Sequence, residues 1–305
     1  MDERVGQHRD ESVKAVGYRG RFAPSPTGDL HFGSLVAALG SWLRARSKHG
    51  VWLVRIEDLD PPREAAGAAE RILATLAAFG MVSDEPVLRQ SRRYSWYEAA
   101  LQDLIARGLA FPCACSRKQL EAHAGLHVLP CMAPVTGAAH AWRARVPDID
   151  IGFDDVVVGH YAQSLRRDVG DFVLKRNDGL YAYQLAVVVD DAAQGITEVV
   201  RGADLLDSTP RQIWLHHALG LPTPTYLHLP LVLDEHGRKL GKSLASVPVD
   251  AGDPLPALRA ALRFLGQTEH ADCGSVAHLL QRATTSFDIA TIPASIPSRI
   301  GESSD

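Results

Sequence analysis

Cys113, Cys115, His127 and Cys131 are the side chains of this sequence best suited to hold a soft metal ion. Three thiolates and one imidazole within a short span fit tetrahedral Zn2+, and with all four positions filled by protein such a site would be structural. The pattern, Cys-x-Cys followed by His-x-x-x-Cys, is compact but is not a standard finger spacing. His123 competes for the fourth position, and the alternative is a set of buried free cysteines near a surface histidine. Cys273 lies apart and reads as a simple thiol.

Two further constellations suit a phosphorylated substrate. In the segment 21–34 (Arg-Phe-Ala-Pro-Ser-Pro-Thr-Gly-Asp-Leu-His-Phe-Gly-Ser), a glycine turn leads into a helix whose free N–H groups and dipole favour an anion. His31 and Ser34, three residues apart, would share one face of its first turn, and Gly33 would let a flat ring lie against the backbone. The alternative is an ordinary loop–helix junction with a capping histidine. Much later, Arg238-Lys239-Leu240-Gly241-Lys242-Ser243 places two lysines on a loop able to close over a polyphosphate and favour departing pyrophosphate. A solvated basic loop is the competing reading of that segment.

The elements that must position these residues follow from periodicity. A short semi-apolar strand at 18–23 ends at the Pro-rich loop 24–28, and from His31 an apolar stripe of Leu35, Val36, Leu39, Trp42 and Leu43 marks a helix closed by Gly50. A buried strand at 51–56, a helix at 63–79 and another at 94–107 come next. This βαβ start implies a parallel sheet with its ligand at the carboxyl edge. The spacing then predicts a Cys/His-containing insertion from Phe111 to Trp142. Two strand-like runs are expected in 171–189, around the Asn177-Asp178-Gly179 turn. Later strands are predicted at 197–200 and 226–233, and short amphipathic helices at 255–265 and 276–282. The expected fold class is α/β: a Rossmann-type catalytic domain with a small zinc-containing insertion and a short helical C-terminal part. The expected organisation is a weakly ordered extension (1–18), a first half of the catalytic domain (19–110), the insertion (111–170), a second half with the lysine loop (171–250), and a helical part with its tail (251–305).

An apolar fraction of 46% and a charged fraction of 22% are those of a globular chain, so pervasive disorder is excluded. No apolar run reaches the ~20 residues of a membrane span, and the charged start is not a signal peptide, which gives a cytoplasmic expectation and reduced cysteines. A net charge of −4 does not advertise nucleic acid; an RNA partner would use local patches such as Arg44/Arg46/Lys48, Arg89/Arg92/Arg93 or Arg166/Arg167. Each patch is more often just a solvated face.

Taken together, the two phosphate-type constellations resemble the His-Ile-Gly-His and Lys-Met-Ser-Lys-Ser signatures of class I aminoacyl-tRNA synthetases, in order and separation. The segments Arg55-Ile56-Glu57-Asp58-Leu59-Asp60, Tyr183 through Asp191 and Arg201-Gly202-Ala203-Asp204-Leu205 narrow the resemblance to the catalytic half of glutamyl-tRNA synthetases. The resemblance runs from about Arg19 to Leu265. It implies a glutamate site lined by Arg21, Phe22, Ala23, Pro24, Ser25, Glu57, Tyr183 and Arg201. It also implies an ATP site of His31, Gly33, Ser34, Lys239 and Lys242, with His31 and Lys242 catalytic and Mg2+ accompanying ATP. The chemistry agrees: two carboxylates call for guanidinium forks and an ammonium for an anion. Phe32, Ser34 and Gly241 depart from the generic signatures. In the resembled group the insertion carries zinc, with a tyrosine ligand in some members where His127 stands here.

Fewer residues follow the lysine loop than a helical anticodon-binding region needs, so the chain resembles the glutamyl-Q tRNA(Asp) synthetase group. That resemblance implies transfer of activated glutamate to queuosine at the wobble position of tRNA(Asp). A monomer is expected. Three rivals are carried forward. One is a truncated or split glutamyl-tRNA synthetase charging the acceptor end. Another is a non-catalytic RNA-binding or glutamate-sensing paralogue. The third, a small-molecule nucleotidyltransferase, leaves the Arg201–Leu205 segment and the cysteines unexplained.

Overall fold

The structure is a computed structural model that describes residues 17–121, 126–127, 131, 140–232 and 248–294. The strands β1 (Arg19–Phe22) and β2 (Val51–Ile56) pair in parallel, joined by helix α1 (Phe32–Ser47). α1 forms where the apolar stripe predicts it. Leu35, Leu39 and Leu43 are fully buried, and Arg44 and Arg46 in the last turn oppose the helix dipole. Helix α2 (Ala68–Ala78) leads to the two-residue strand β3 (Leu88–Arg89), parallel to β2, and helix α3 (Tyr94–Ala106) follows.

The anticipated helix at 63–79 is shorter than its sequence suggests. Pro61–Arg63 forms a single 3-10 turn, Glu64 is extended, and α2 begins only after Gly67 at φ 69°. The Ala65 N–H donates to Pro26 O at 2.9 Å, and that bond draws the segment away from the helix and onto the Pro-rich loop.

Strand β4 (Ala110–Cys113) and the short helix α4 (Arg117–Glu121) open a second, antiparallel region. β5 (Ala141–Ala144) lies between β4 and β8 (Val173–Lys175), and β6 (Asp150–Asp155) forms a hairpin with β7 (Gly159–Ser164). Helix α5 (Tyr183–Ala193) comes next. The second strand-like run expected in 171–189 is instead the body of α5. Leu185 through Asp191 are buried all round, against α3, β8 and α6 (Thr209–Ala218). A helix with no wet face has no amphipathic period, and its Val187–Val189 run carries strand propensity instead.

β9 (Glu198–Gly202) and β10 (Thr225–Leu229) pair in parallel. β9 lies on the free side of β1, with the Thr197 N–H donating to Arg19 O at 2.9 Å. The order across the parallel layer is therefore β3-β2-β1-β9-β10, a doubly wound arrangement whose switch point falls between β1 and β9. Helices α7 (Pro254–Phe264) and α8 (Val276–Ser286) cover α1. α1 sits so close to β10 that a Cβ on Gly40 would meet Leu229 Cδ1 at 2.6 Å. The main apolar core fills this space, from Leu35, Trp52 and Ile56 to Leu258, Leu262 and Leu279.

Candidate active site and metal centre

The carboxyl ends of β1, β2 and β9 gather the charged residues singled out in the sequence. Arg21 is the last residue but one of β1, Glu57 follows β2 directly, Arg201 lies near the end of β9, and Tyr183 is the first residue of α5. The loop after β1 is held by the Glu57 N–H donating to Pro24 O at 2.9 Å, which fixes Phe22–Ser25 beside Glu57. Asp191 of α5 organises the cluster. It accepts from Arg21 through Nε at 3.0 Å and Nη2 at 3.3 Å, and from Arg55 Nη1 at 2.7 Å. Arg55 Nη2 reaches Glu57 Oε1 at 3.4 Å. Although burial opposes it, the two guanidinium groups hold Asp191 well below the usual carboxylate range. Burial pushes Glu57 up to about 7, a rise that Arg55 and Arg21 only partly offset. Glu57 is thus a buried anion short of positive charge, the partner an ammonium group seeks.

Arg201 is buried and its guanidinium is fully engaged. Nε donates to His228 Nε2 at 3.1 Å, and Nη1 to Gln212 Oε1 at 2.8 Å and the Tyr183 hydroxyl at 3.4 Å. Nη2 donates to Thr209 Oγ1 at 2.8 Å and Leu205 O at 3.3 Å. A cavity of about 1000 Å³ opens from Ser25, Glu57 and Tyr183 and runs to Cys115 and His140.

At the start of α1, His31 is the N-cap. Its Nδ1 accepts from the Ser34 N–H at 3.2 Å and its Nε2 lies 3.0 Å from Ser34 Oγ. The flat ring that Gly33 accommodates is the histidine's own, since a Cβ there would come within 3.3 Å of His31 Cε1. The histidine therefore caps the helix as the alternative reading of this turn expected. Lys239 and Lys242 lie outside the described residues. Where the described chain resumes, Pro248 bridges to His31 and the Val249 N–H donates to Leu30 O at 3.0 Å.

Cys113, Cys115, His127 and Cys131 come together with their ligand atoms within 4.8 Å of one another. The Cys115 N–H donates to Cys113 Sγ at 3.4 Å, and Arg143 Nε approaches the same sulfur at 3.3 Å. His127 Nδ1 pairs with Asp171 Oδ2 at 3.0 Å, which leaves Nε2 as the ring's ligand atom. Burial pushes the Cys113 thiol up to about 11. For Cys131 burial acts the same way, but the Ala114 N–H and the adjacent thiols outweigh it and bring it to about 6. The donor set and its carboxylate-oriented imidazole fit zinc. His123, the competitor for the fourth position, lies outside the described residues.

Residues 18–128 and 133–294 match the tRNA synthetases class I (E and Q), catalytic domain. The chain belongs to this family. Members use ATP, an amino acid and tRNA. The chain is 59% identical over 284 residues to the glutamyl-Q tRNA(Asp) synthetase of Xanthomonas campestris pv. campestris (strain 8004), covering 92% of this chain and 95% of that one. The protein of the same name from Ectopseudomonas mendocina is 52% identical, with 91% and 96% covered. A glutamate tRNA ligase from Elizabethkingia meningosepticum, solved in complex with its amino acid, superposes with a TM-score of 0.77 at 25% identity. That match covers 92% of this chain and 66% of the ligase. Among the described residues of this class I domain no helix is long and apolar enough to cross a membrane.

Several residues that build the site were not singled out for it in the sequence. Arg55 and Asp191 stood inside quoted segments without a role. Their signal was present: an arginine in the otherwise apolar strand Val-Trp-Leu-Val-Arg-Ile, and an acidic pair closing an apolar run, both costly to bury unless paired. Asp155, Thr209, Gln212 and His228 left no comparable mark.

Proposed function

We propose that this chain activates L-glutamate as its adenylate and transfers the glutamyl group to the queuosine base at the wobble position of tRNA(Asp). The observation that carries this reading is the 59% identity to a glutamyl-Q tRNA(Asp) synthetase along 95% of that protein's length. The geometry supports it. Arg201 and Arg21 lie at the switch point to meet the substrate carboxylates, Arg21 through the edge not given to Asp191. Tyr183 closes the pocket, and Glu57 faces the ammonium. The α-carboxylate attacks the α-phosphorus of ATP, which enters with Mg2+. His31, Gly33 and Ser34 at the α1 N-terminus, with Lys239 and Lys242, would face the phosphates, and charge growing on pyrophosphate is stabilised by His31 and Lys242. The queuosine cyclopentene hydroxyl then attacks the mixed anhydride and AMP leaves. The cavity beyond Tyr183 gives that ring an approach.

Cys113, Cys115, His127 and Cys131 would hold one structural Zn2+, a tetrahedral cross-link between β4 and the segment before β5. The reading includes a cytoplasmic monomer and the division into two catalytic halves separated by the zinc-bearing insertion. Pyrophosphate exchange into ATP tests the first step. It should depend on L-glutamate, persist without tRNA, and fall by roughly a hundredfold or more in His31→Ala or Lys242→Ala, with the circular dichroism spectrum unchanged. Absent exchange in the wild type would favour a non-catalytic paralogue.

A further inference from the structure

The buried pair Asp155–His228 has no part in the chemistry above, yet it ends on Arg201. His228 of β10 stands directly opposite Arg201 of β9 in the parallel register. Its Nδ1 lies 2.7 Å from Asp155 Oδ2 and its Nε2 accepts from Arg201 Nε at 3.1 Å. Neither the His228 nor the Asp155 side chain is exposed at all. Asp155 closes β6, and its Oδ1 accepts from the backbone N–H groups of Val157 at 3.0 Å, Val158 at 2.9 Å and His228 at 3.2 Å. With that oxygen occupied, Oδ2 faces the imidazole as an acceptor only, so the ring proton sits on Nδ1. Nε2 is left as a lone pair, the one state that accepts from Arg201. Burial keeps the ring neutral, against the pull of Asp155. Tyr226 stacks on the imidazole at 10° between planes, and the Arg201 guanidinium lies 5.5 Å from the centre of the same phenol ring.

We infer that Asp155 and His228 are positioning residues for glutamate binding: Asp155 sets the tautomer of His228, and His228 Nε2 fixes the Arg201 fork in the orientation that meets a substrate carboxylate. This rests on the proposed contact between Arg201 and glutamate. The longest of the five guanidinium contacts, to Tyr183, points to the group that lines the cavity, and it is the one a carboxylate replaces most easily. The other four, His228 among them, hold the fork from behind.

Asp155→Asn is the decisive variant because it changes almost no volume. Three N–H donors keep the amide oxygen at the Oδ1 position, so the NH2 turns toward His228 and forces its proton to Nε2, donor against donor with Arg201. We expect the KM for glutamate in pyrophosphate exchange to rise at least about tenfold, about 1.4 kcal/mol of binding. The KM for ATP should stay unchanged, and 15N NMR should show His228 exchanging its protonated nitrogen. His228→Gln, which keeps an acceptor near Nε2, should stay closer to wild type than His228→Asn, which does not. Arg201→Lys is run alongside. If it raises the glutamate KM while Asp155→Asn and His228→Asn do not, the positioning role is overturned and the Arg201 contact stands. If both substrates' KM values rise together with a fall in Tm, the pair is merely structural. If Arg201→Lys has no effect, the Arg201 contact itself fails and the inference falls with it.

Discussion

Glu57 shows how burial sets the charge of a single carboxylate, and with it the proton exchange that the proposed ligand would cause. Its ordinary value near 4.5 is raised to about 7, chiefly by burial. Between those values the folded protein holds a proton that the unfolded chain has released, so Glu57 makes stability fall as pH rises from about 4.5 to about 7. An ammonium group seated beside it would lower that value. Glutamate binding near pH 6 should therefore release a proton, and binding at pH 9 should not. Calorimetry in buffers of different ionisation enthalpy checks this, and Glu57→Gln should abolish the release while weakening binding. Asp191 behaves in the opposite sense. Arg21 and Arg55 depend on it, and Asp191→Ala would leave two buried cations facing each other. We expect a loss of about 3–5 kcal/mol in urea denaturation, the usual cost of breaking a buried ion pair. An effect below about 1 kcal/mol would contradict this account of the cluster.

At the scale of elements, legibility tracked how locally each residue's role is determined. α1 and β2 were readable because an apolar stripe and an apolar run each bury one continuous surface. α5 was misread because Leu185–Asp191 are enclosed on every side, so burial erased the period that marks a helix. The β6–β7 hairpin gave little warning, since its turn is made by Asp155 accepting from Val157 and Val158 rather than by an Asn-Gly pair. The residues proposed for glutamate stood in the sequence as motif members. The contacts that hold them, Asp191 to Arg21 and His228 to Arg201, depend on how α5 and β10 come beside their neighbours, and spacing in one chain cannot give that. The members of the Cys/His cluster were legible by type, whereas Asp171, oriented onto His127 from just before β8, was not. If these residues hold zinc, Cys113→Ser should yield protein without metal by elemental analysis and a lower Tm, with unfolding confined to the β4–β5–β8 region by hydrogen exchange. Wild-type protein isolated without zinc would refute the metal assignment.

Across the whole molecule, the doubly wound layer explains why residues so far apart in sequence share one site. β1 and β9 diverge at the switch point, and the crevice between their carboxyl ends receives Arg21 from one side and Arg201 from the other. α1 opens there with its N-terminus and His31, Pro248 bridges to His31, and the cavity leads away toward the cysteine cluster. The chain matches 66% of the glutamate tRNA ligase but 95% of a glutamyl-Q tRNA(Asp) synthetase. Which end of the RNA receives the glutamyl group is therefore the central question. The direct measurement incubates the protein with labelled glutamate, ATP and tRNA from two sources, one containing queuosine and one lacking it. The account predicts label on queuosine-containing tRNA alone. Equal labelling of both would contradict it and point to acceptor-end charging.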